Sequence, residues 1–286
     1  MSDLRTAVRE ATARLAAAGI PSPEVDAVAL AAHALGTDPA EVRRAMVLGA
    51  PEPDGYATLV DEREARVPLQ HLTGRAHFRR LTLAVGPGVF VPRPETEVTA
   101  GLAIDAASAI GPDAVVVDLC TGSGAIALTV KDELPEVRVL AVEVSDLAHG
   151  WAVANRDALG LDVEMRLGDA TTAFDDLEGE VDVVVSNPPY IPVGAVPVDP
   201  EVRDHDPEVA LYGGSADGLA LPLAVAARAA VLLRVGGVLV MEHADSQGGS
   251  LPQALRATGE WAEVADHADL AGRPRTTTAV RGPSPS

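Results

Sequence analysis

The first 74 residues carry the apolar spacing of short amphipathic helices. Apolar positions recur at helical intervals over residues 4–18. Ser-Pro-Glu at residues 22–24 combines a cap, a first-turn proline and an early acid, and Asp-Pro-Ala-Glu at residues 38–41 has the form of a capping box. With a further helix over residues 56–66, this part of the chain predicts a small helical bundle.

From about residue 98, apolar runs that predict strands alternate with stretches that predict helices. The expected strands lie at residues 114–119, 137–142, 163–166, 181–186, 238–242, 262–267 and 276–280, and the expected helices at 98–110, 125–134, 146–159 and 219–233. Such alternation gives an α/β fold, a mostly parallel sheet with helices on both faces. Ligands of these sheets bind at the carboxyl ends of the strands, near the point where strand order reverses.

Between these parts, residues 75–97 predict a short hairpin followed by a stiff loop. Apolar residues alternate from Phe78 to Val85, and Pro92 and Pro94 then restrict the backbone ahead of the next helix. We therefore expect three segments: a helical domain at 1–74, a hairpin and loop linker at 75–97, and an α/β domain at 98–286.

Composition narrows the classes of partner. The chain has a net charge of −20, and residues 98–286 hold 29 acidic and 11 basic residues, a net charge of −18. A protein that tracks duplex nucleic acid presents a basic face, so this acidity argues against such a role and favours a basic partner surface.

Targeting signals and disulfides are not expected. The single cysteine, Cys120, excludes an intrachain disulfide and fits a reducing cytoplasm. The N-terminus lacks the unbroken apolar stretch of a signal peptide, and Pro222, Arg228 and Arg234 interrupt the most apolar later stretch, so we expect no membrane association.

A glycine-rich turn follows the first strand of the α/β domain. Its residues are Cys120, Thr121, Gly122, Ser123 and Gly124. Alone it fits a nucleotide-type ligand or a plain tight turn equally well, and it also satisfies a dinucleotide-binding pattern.

Two acids follow the next two strands. Glu143 ends its strand 21 positions after Gly122, where an acid can accept hydrogen bonds from ribose hydroxyls. Asp169 is a candidate acceptor for an adenine amino group, although an aspartate after Gly168 is nearly as typical of a turn.

The motif that selects the chemistry is Asn187-Pro188-Pro189-Tyr190, directly after the strand at residues 181–186. A planar NH2 group is a poor nucleophile with two N–H donors. The Asn187 side-chain oxygen and the Pro188 carbonyl could accept hydrogen bonds from these two N–H donors, and Tyr190 could pack against the planar group. Methyl transfer from a sulfonium relies on proximity and orientation, so the motif predicts nitrogen methylation.

With these motifs in place, the chain resembles the bacterial peptide chain release factor glutamine methyltransferases, the HemK/PrmC family. The resemblance spans nearly the whole chain and is most specific in the loop at residues 86–97, which reads Gly-Pro-Gly-Val-Phe-Val-Pro-Arg-Pro-Glu-Thr-Glu. Residues 68–74, the glycine turn, the Asn-Pro-Pro-Tyr motif and residues 269–273 follow the family order.

The resemblance implies a Rossmann-like, seven-stranded class I methyltransferase domain with an N-terminal helical domain that recognises the substrate. It implies S-adenosylmethionine as cofactor, S-adenosylhomocysteine as product, and the glutamine of the Gly-Gly-Gln motif of release factors as acceptor. We expect the enzyme to be a cytoplasmic monomer that binds no nucleic acid directly. The expected catalytic and substrate-binding residues are Asn187, Pro188, Pro189 and Tyr190, and the expected cofactor-binding residues are Cys120, Thr121, Gly122, Ser123, Gly124, Glu143, Asp169, Ala170, Asn187, Phe90, Pro94, Glu95 and Thr96.

Three other interpretations stay open. An adenine N6 or guanine N2 methyltransferase acting on nucleic acid shares Asn-Pro-Pro-Tyr, but needs a basic path for the strand. A nicotinamide oxidoreductase would use the glycine turn and leave Asn-Pro-Pro-Tyr unexplained. A non-catalytic protein would bind the cofactor and transfer nothing. No His or Cys cluster has metal-ligand spacing, so we expect no metal.

Overall fold

The computed structural model describes residues 3–283, which form two compact units. The first contains residues up to 75 together with 85–87 and 197–205; the second contains 76–84, 88–196 and the residues from 206 onward.

Helices make up the first unit. They are α1 (Leu4–Ala17), α2 (Pro23–Leu35), α3 (Pro39–Val47), α4 (Tyr56–Glu64) and α5 (Leu69–Thr73). Asp38 caps α3 as predicted, because its side chain accepts from the amides of Ala40 and Glu41 at 2.8 and 2.9 Å. Ser22 was expected to cap α2, and this is wrong: α2 begins at Pro23, but the Ser22 side chain makes no capping hydrogen bond.

A buried ion-pair network attaches residues 197–205 to these helices. Arg63 is 3% exposed and donates to Asp26 at 2.7 Å. Its guanidinium also lies 2.9 Å from Glu201, on the short helix that the chain forms much later. Arg66 pairs with the same glutamate at 2.9 Å. The helical unit is therefore completed by a segment remote in sequence.

The second unit is built on a seven-stranded sheet, preceded by the two-stranded hairpin of β1 (Arg75–Phe78) and β2 (Leu81–Ala84). The sheet strands are β3 (Val115–Leu119), β4 (Arg138–Glu143), β5 (Val163–Leu167), β6 (Val181–Ser186), β7 (Leu233–Glu242), β8 (Trp261–Ala268) and β9 (Pro274–Arg281). The helices are α6 (Thr96–Ile110), α7 (Ala125–Glu133), α8 (Asp146–Leu159), α10 (Ala220–Leu232) and α11 (Ser250–Thr258), and α9 (Pro200–His205) lies in the first unit.

The strand order is β5-β4-β3-β6-β7-β9-β8, and every expected strand is present. Strands β3 to β7 pair in parallel, whereas β9 runs antiparallel to both β7 and β8. The chain moves outward from β3 through β4 to β5, then returns to place β6 on the other side of β3. The order therefore reverses between β3 and β6, and the loops that follow these two strands lie at the reversal point.

Apolar layers cover both faces of the sheet. One joins β3, β4, β6 and β7 to α10 and α11; the other packs α6 and α7 against the same strands. Since the central strands are buried on both faces, their valine-rich sequences lack an alternating polar face. Within residues 3–283, no helix is long and apolar enough to cross a membrane.

Candidate active site

The glycine turn joins β3 to α7 through backbone conformations that side chains rarely adopt. Gly122 and Gly124 have φ of 59° and 85°, and Cys120, at 69°, is one of the few non-glycine residues in the left-handed region. A Cβ on Gly124 would lie 2.9 Å from Leu128, whereas one on Gly122 would meet no atom of the described residues within 4 Å. The turn is therefore closely packed against α7 at Gly124 and leaves open space above Gly122, on the side where its Cβ would lie.

Glu143 braces this turn from the end of β4. One carboxylate oxygen accepts from the Gly122 amide at 2.8 Å, and the other from the Ser145 amide at 2.9 Å. Asn155 supports the turn from α8, donating to the Ser123 carbonyl at 3.0 Å. The acid and the glycine turn, paired on sequence spacing alone, are thus in direct contact.

Asp118 was missed by the sequence analysis. Its Oδ2 accepts from the Thr121 hydroxyl at 2.6 Å and from the Ala127 amide at 3.2 Å. Its Oδ1 is buried without a hydrogen-bond partner among the described residues. Burial raises the pKa of Asp118 to about 7, more than those two hydrogen bonds lower it. An orphaned buried oxygen beside the turn suits a ligand that brings a donor, and the signal was an acid inside a valine-rich strand.

Asp169 and Ala170 follow β5. Asp169 is exposed, and its Oδ1 accepts from the Thr171 amide at 2.8 Å and from the Thr171 hydroxyl at 2.7 Å, as in an aspartate turn. Ala170 is buried in the apolar layer that contains β3 and β4. The contact of Asp169 and Ala170 with adenine stays a prediction.

The Asn-Pro-Pro-Tyr segment follows β6 at the same edge of the sheet. Ser186, the last residue of β6, donates to the Leu119 carbonyl of β3 at 2.5 Å, which joins the ends of the two strands. Pro188 and Pro189 are buried, and Asn187 is half-buried with its Nδ2 3.4 Å from the Thr96 hydroxyl. The segment is therefore held rigidly where strand order reverses.

Later residues fix the far end of this segment. Gln247 donates to the Tyr190 carbonyl at 2.9 Å and to the Asp217 carbonyl at 2.8 Å. Gly218 passes so close that an added Cβ would lie 2.1 Å from the Tyr190 carbonyl oxygen. Only a glycine fits there, which explains the Asp-Gly pair at residues 217–218.

A buried carboxyl at the end of β7 lies behind the segment. Glu242 is 2% exposed; its Oε1 accepts from the Tyr190 hydroxyl at 3.4 Å and its Oε2 from the Thr99 hydroxyl at 3.2 Å. Burial raises the pKa of Glu242 to about 7, although hydrogen bonds from Thr96, Thr99 and Tyr190 and the charge of Arg275 act in the opposite direction. Burial also raises the pKa of Tyr190.

The loop at residues 88–95 is held by ion pairs. Arg93 contacts the buried Asp206 at 2.5 Å and lies over the Phe90 ring, 5.0 Å from its centre. Glu95 pairs with Arg273 at 3.2 Å. Within the loop Phe90 and Glu95 are half-buried and Pro94 is exposed. Thr96 then begins α6, and the structure brings its hydroxyl to Asn187.

No group of His, Cys, Asp and Glu residues in the described part of the chain could hold a metal ion.

Comparisons with known proteins agree on one family. Residues 6–74 match the PrmC N-terminal domain, and residues 80–197 match the methyltransferase small domain. The chain is 53% identical over 284 residues to a release factor glutamine methyltransferase of Streptomyces coelicolor, covering 98% of each protein. It is also 41% identical to a 4-amino-L-phenylalanine/4-methylamino-L-phenylalanine methyltransferase of Streptomyces pristinaespiralis, covering 91% of this chain and 90% of that one.

Among solved structures, a methyltransferase from Pyrococcus furiosus superposes with a TM-score of 0.51 at 17% identity, covering 70% of this chain and 89% of that one. At this identity the likeness concerns the fold alone, and it agrees with the class I methyltransferase sheet expected from the sequence.

Proposed function

This chain belongs to the family of release factor glutamine methyltransferases, and from that premise we propose which group it methylates and with which residues. The acceptor is the side-chain amide nitrogen of the glutamine in the Gly-Gly-Gln motif of peptide chain release factors. The methyl donor is S-adenosylmethionine, which leaves as S-adenosylhomocysteine.

One observation carries this proposal. Asn187 stands half-buried at the reversal point of the sheet, between two buried prolines and the strand end that Ser186 ties to β3. The glycine turn lies at the end of that same β3. An amide clamp and a cofactor-type turn therefore share one edge, as methyl transfer to a planar nitrogen requires.

The cofactor is proposed to lie against residues 120–124 and Glu143, with Asp169, Ala170 and the loop carrying Phe90 and residues 94–96 around it. Two features fit such a group: the open space above Gly122, and the Asp118 oxygen that has no hydrogen-bond partner among residues 3–283. When bound, S-adenosylmethionine supplies an electrophilic methyl group. Glu143 would offer its carboxylate to ribose hydroxyls, and the turn amides would face the ligand.

The chain's own part is to hold and polarise the acceptor. The Asn187 side-chain oxygen and the Pro188 carbonyl accept the two N–H bonds of the substrate amide, and Tyr190 packs against its plane. Both oxygens draw electron density toward the nitrogen and fix its direction. As the new N–C bond forms, the bond between the methyl carbon and the sulfonium sulfur would break, and the nitrogen would release one proton to solvent water. Positioning of the nitrogen supplies most of the rate enhancement.

The helical segment, residues 1–74, is proposed to recognise the release factor, with residues 75–97 as linker and 98–286 as catalytic domain. The net charge of −18 over 98–286 favours attraction to a basic protein partner over nucleic acid. We place the enzyme in the cytoplasm, where translation factors act, as a monomer.

The test is methyl transfer to a purified release factor, followed by peptide mass spectrometry. A single added methyl on the Gly-Gly-Gln glutamine, absent when that glutamine is replaced by glutamate, establishes acceptor and atom class. Parallel reactions offer 4-amino-L-phenylalanine, because a relative is named for that substrate, and naked RNA and DNA. Efficient transfer to one of these and none to the release factor would refute the proposal.

A further inference from the structure

The Asn187 side chain has two orientations that differ by exchange of its oxygen and nitrogen. Only the one that presents Oδ1 to the substrate accepts a hydrogen bond from the acceptor nitrogen; the other presents N–H groups and repels it. In the structure Nδ2 faces the Thr96 hydroxyl at 3.4 Å, which leaves Oδ1 for the substrate. This orientation requires the Thr96 hydroxyl oxygen to accept the hydrogen bond from Asn187, so the hydroxyl proton must point toward another group.

The Thr96 hydroxyl has one proton, and the direction of that proton decides which end of the Asn187 amide faces Thr96. If Thr96 gives that proton to another acceptor, only its lone pairs are left for Asn187, and Nδ2 must face them. If the proton is free to turn toward Asn187, the reversed amide is equally well satisfied. Thr96 is 4% exposed, so water cannot easily take the proton instead.

Glu242 is the acceptor that lies beside this hydroxyl. An ionised carboxylate offers lone pairs and no proton, so hydroxyls around it turn their protons inward. Thr99 donates to Oε2 at 3.2 Å and Tyr190 to Oε1 at 3.4 Å, and the Thr96 side chain makes a further polar contact with this carboxyl. One carboxylate is thus linked to both ends of the Asn-Pro-Pro-Tyr segment.

We propose that Glu242 is a positioning residue that, through the Thr96 hydroxyl, fixes the Asn187 amide with its oxygen toward the acceptor nitrogen. This inference rests on the proposed function, in which Asn187 holds the substrate amide. Glu242 touches no substrate in this scheme. It acts by removing the freedom of a hydroxyl proton, and its direct bond to Tyr190 keeps the other end of the segment in register.

The discriminating variant is Glu242→Gln, which keeps shape and removes the charge. A glutamine NH2 can donate to Thr96, whose proton then turns toward Asn187 and favours the reversed amide. We expect kcat on the release factor to fall at least about tenfold, since part or all of the enzyme presents the wrong group. The KM for the release factor and the calorimetric Kd for S-adenosylmethionine should stay within about twofold.

Two hydroxyl variants serve as matched controls. Thr96→Val removes the hydroxyl between Glu242 and Asn187, and its kcat should fall as much as that of Glu242→Gln. Thr96→Ser keeps the hydroxyl, and its kcat should be close to that of the wild-type enzyme. Thr99→Val removes a different donor to the same carboxylate without touching Asn187, and should reduce kcat by no more than about threefold. Because the threonine variants leave the carboxylate in place, they decide the matter even if Glu242→Gln fails to fold.

The dependence of kcat on pH is a second measurement, which a residue with only a structural role would not change. Two titratable or charged side chains face Glu242: Tyr190, from the loop after β6, and Arg275, from β9. His243 is next to Glu242 in sequence, but its ring contacts Asp266. The kcat of the wild-type enzyme should rise as Glu242 ionises near neutral pH, and this rise should vanish in Glu242→Gln.

The outcomes separate the two proposals. Wild-type enzyme that methylates no release factor glutamine overturns the proposed function and this inference together. Active wild-type enzyme with Glu242→Gln or Thr96→Val at undiminished kcat overturns this inference alone. Equal losses in kcat and in cofactor affinity in Glu242→Gln would also overturn it, because they would show a general structural role.

Discussion

Replacing Glu242 with glutamine should change how the stability of the protein depends on pH. Burial moves the pKa of this carboxyl from 4.5 to about 7. The folded state therefore holds the proton more tightly than the unfolded chain. Stability from this group is complete below about pH 4.5 and is lost as pH rises through about 7. A shift of this size corresponds to about 3 kcal/mol of unfolding free energy.

Asp118 acts in the same direction, since burial also raises its pKa from 3.8 to about 7. The wild-type protein should lose stability between pH 5 and pH 8 from both carboxyls. Glu242→Gln removes one of them. Its loss over that interval should be smaller than the wild-type loss by about 2–3 kcal/mol.

Urea unfolding at pH 5 and pH 8, with stable m-values, measures this difference directly. Glu263→Gln is the control, because Glu263 is exposed on β8 in the same sheet and should leave the pH dependence unchanged. Equal losses of stability in wild type and Glu242→Gln would refute the reasoning, since Glu242 would then be ionised in the folded protein at pH 5.

Further predictions concern the clamp, its support and the partner. Asn187→Ala should lower kcat at least about 100-fold while the calorimetric Kd for S-adenosylmethionine stays within a few-fold, by analogy with loss of one polarising contact; full activity would discard the amide clamp. Gly218→Ala should cost about 2–4 kcal/mol in urea unfolding, because its Cβ would fall 2.1 Å from the Tyr190 carbonyl oxygen; an unchanged midpoint would contradict that packing. Arg93→Ala should lower the free energy of unfolding by about 1–3 kcal/mol, because it leaves the buried Asp206 without this ion pair, and Arg93→Lys should lower it less. If Arg93→Ala and Arg93→Lys are equally stable, the ion pair does not contribute to stability. Raising salt from about 50 to about 500 mM should lower kcat/KM on intact release factor severalfold and spare a short neutral peptide, as screening weakens the encounter; equal salt effects on both would dismiss charge attraction.

The sequence predicted the sheet well because its strands are buried on both faces. Their valine-rich runs need no knowledge of partners, and every strand from β3 to β9 was expected. Helix α11 was not expected, since Pro252 and the glycines at 248–249 interrupt the apolar spacing. The attachment of residues 197–205 to the helical unit depends on Arg63 pairing with Glu201, a contact across 138 positions that no local pattern encodes.

The candidate site divides in the same way. Motifs of adjacent residues, such as the glycine turn and Asn-Pro-Pro-Tyr, were visible as local signals. Asp118 and Glu242 lie within apolar strands and gain their partners only when distant segments meet, as Thr99 meets Glu242 across 143 positions. Thr96 was expected beside the cofactor, whereas its contact with Asn187 depends on the fold.

The late position of β9 in the chain has a consequence for synthesis. It is the last strand made, yet it lies between β7 and β8 and completes the sheet. Its Thr276 hydroxyl is 2.7 Å from that of Thr99, and its Arg275 supplies positive charge beside Glu242. A chain emerging from the ribosome forms the glycine turn between β3 and α7 long before residue 274 appears. The turn proposed to hold the cofactor thus forms early, and the support proposed to orient the Asn187 amide is made last.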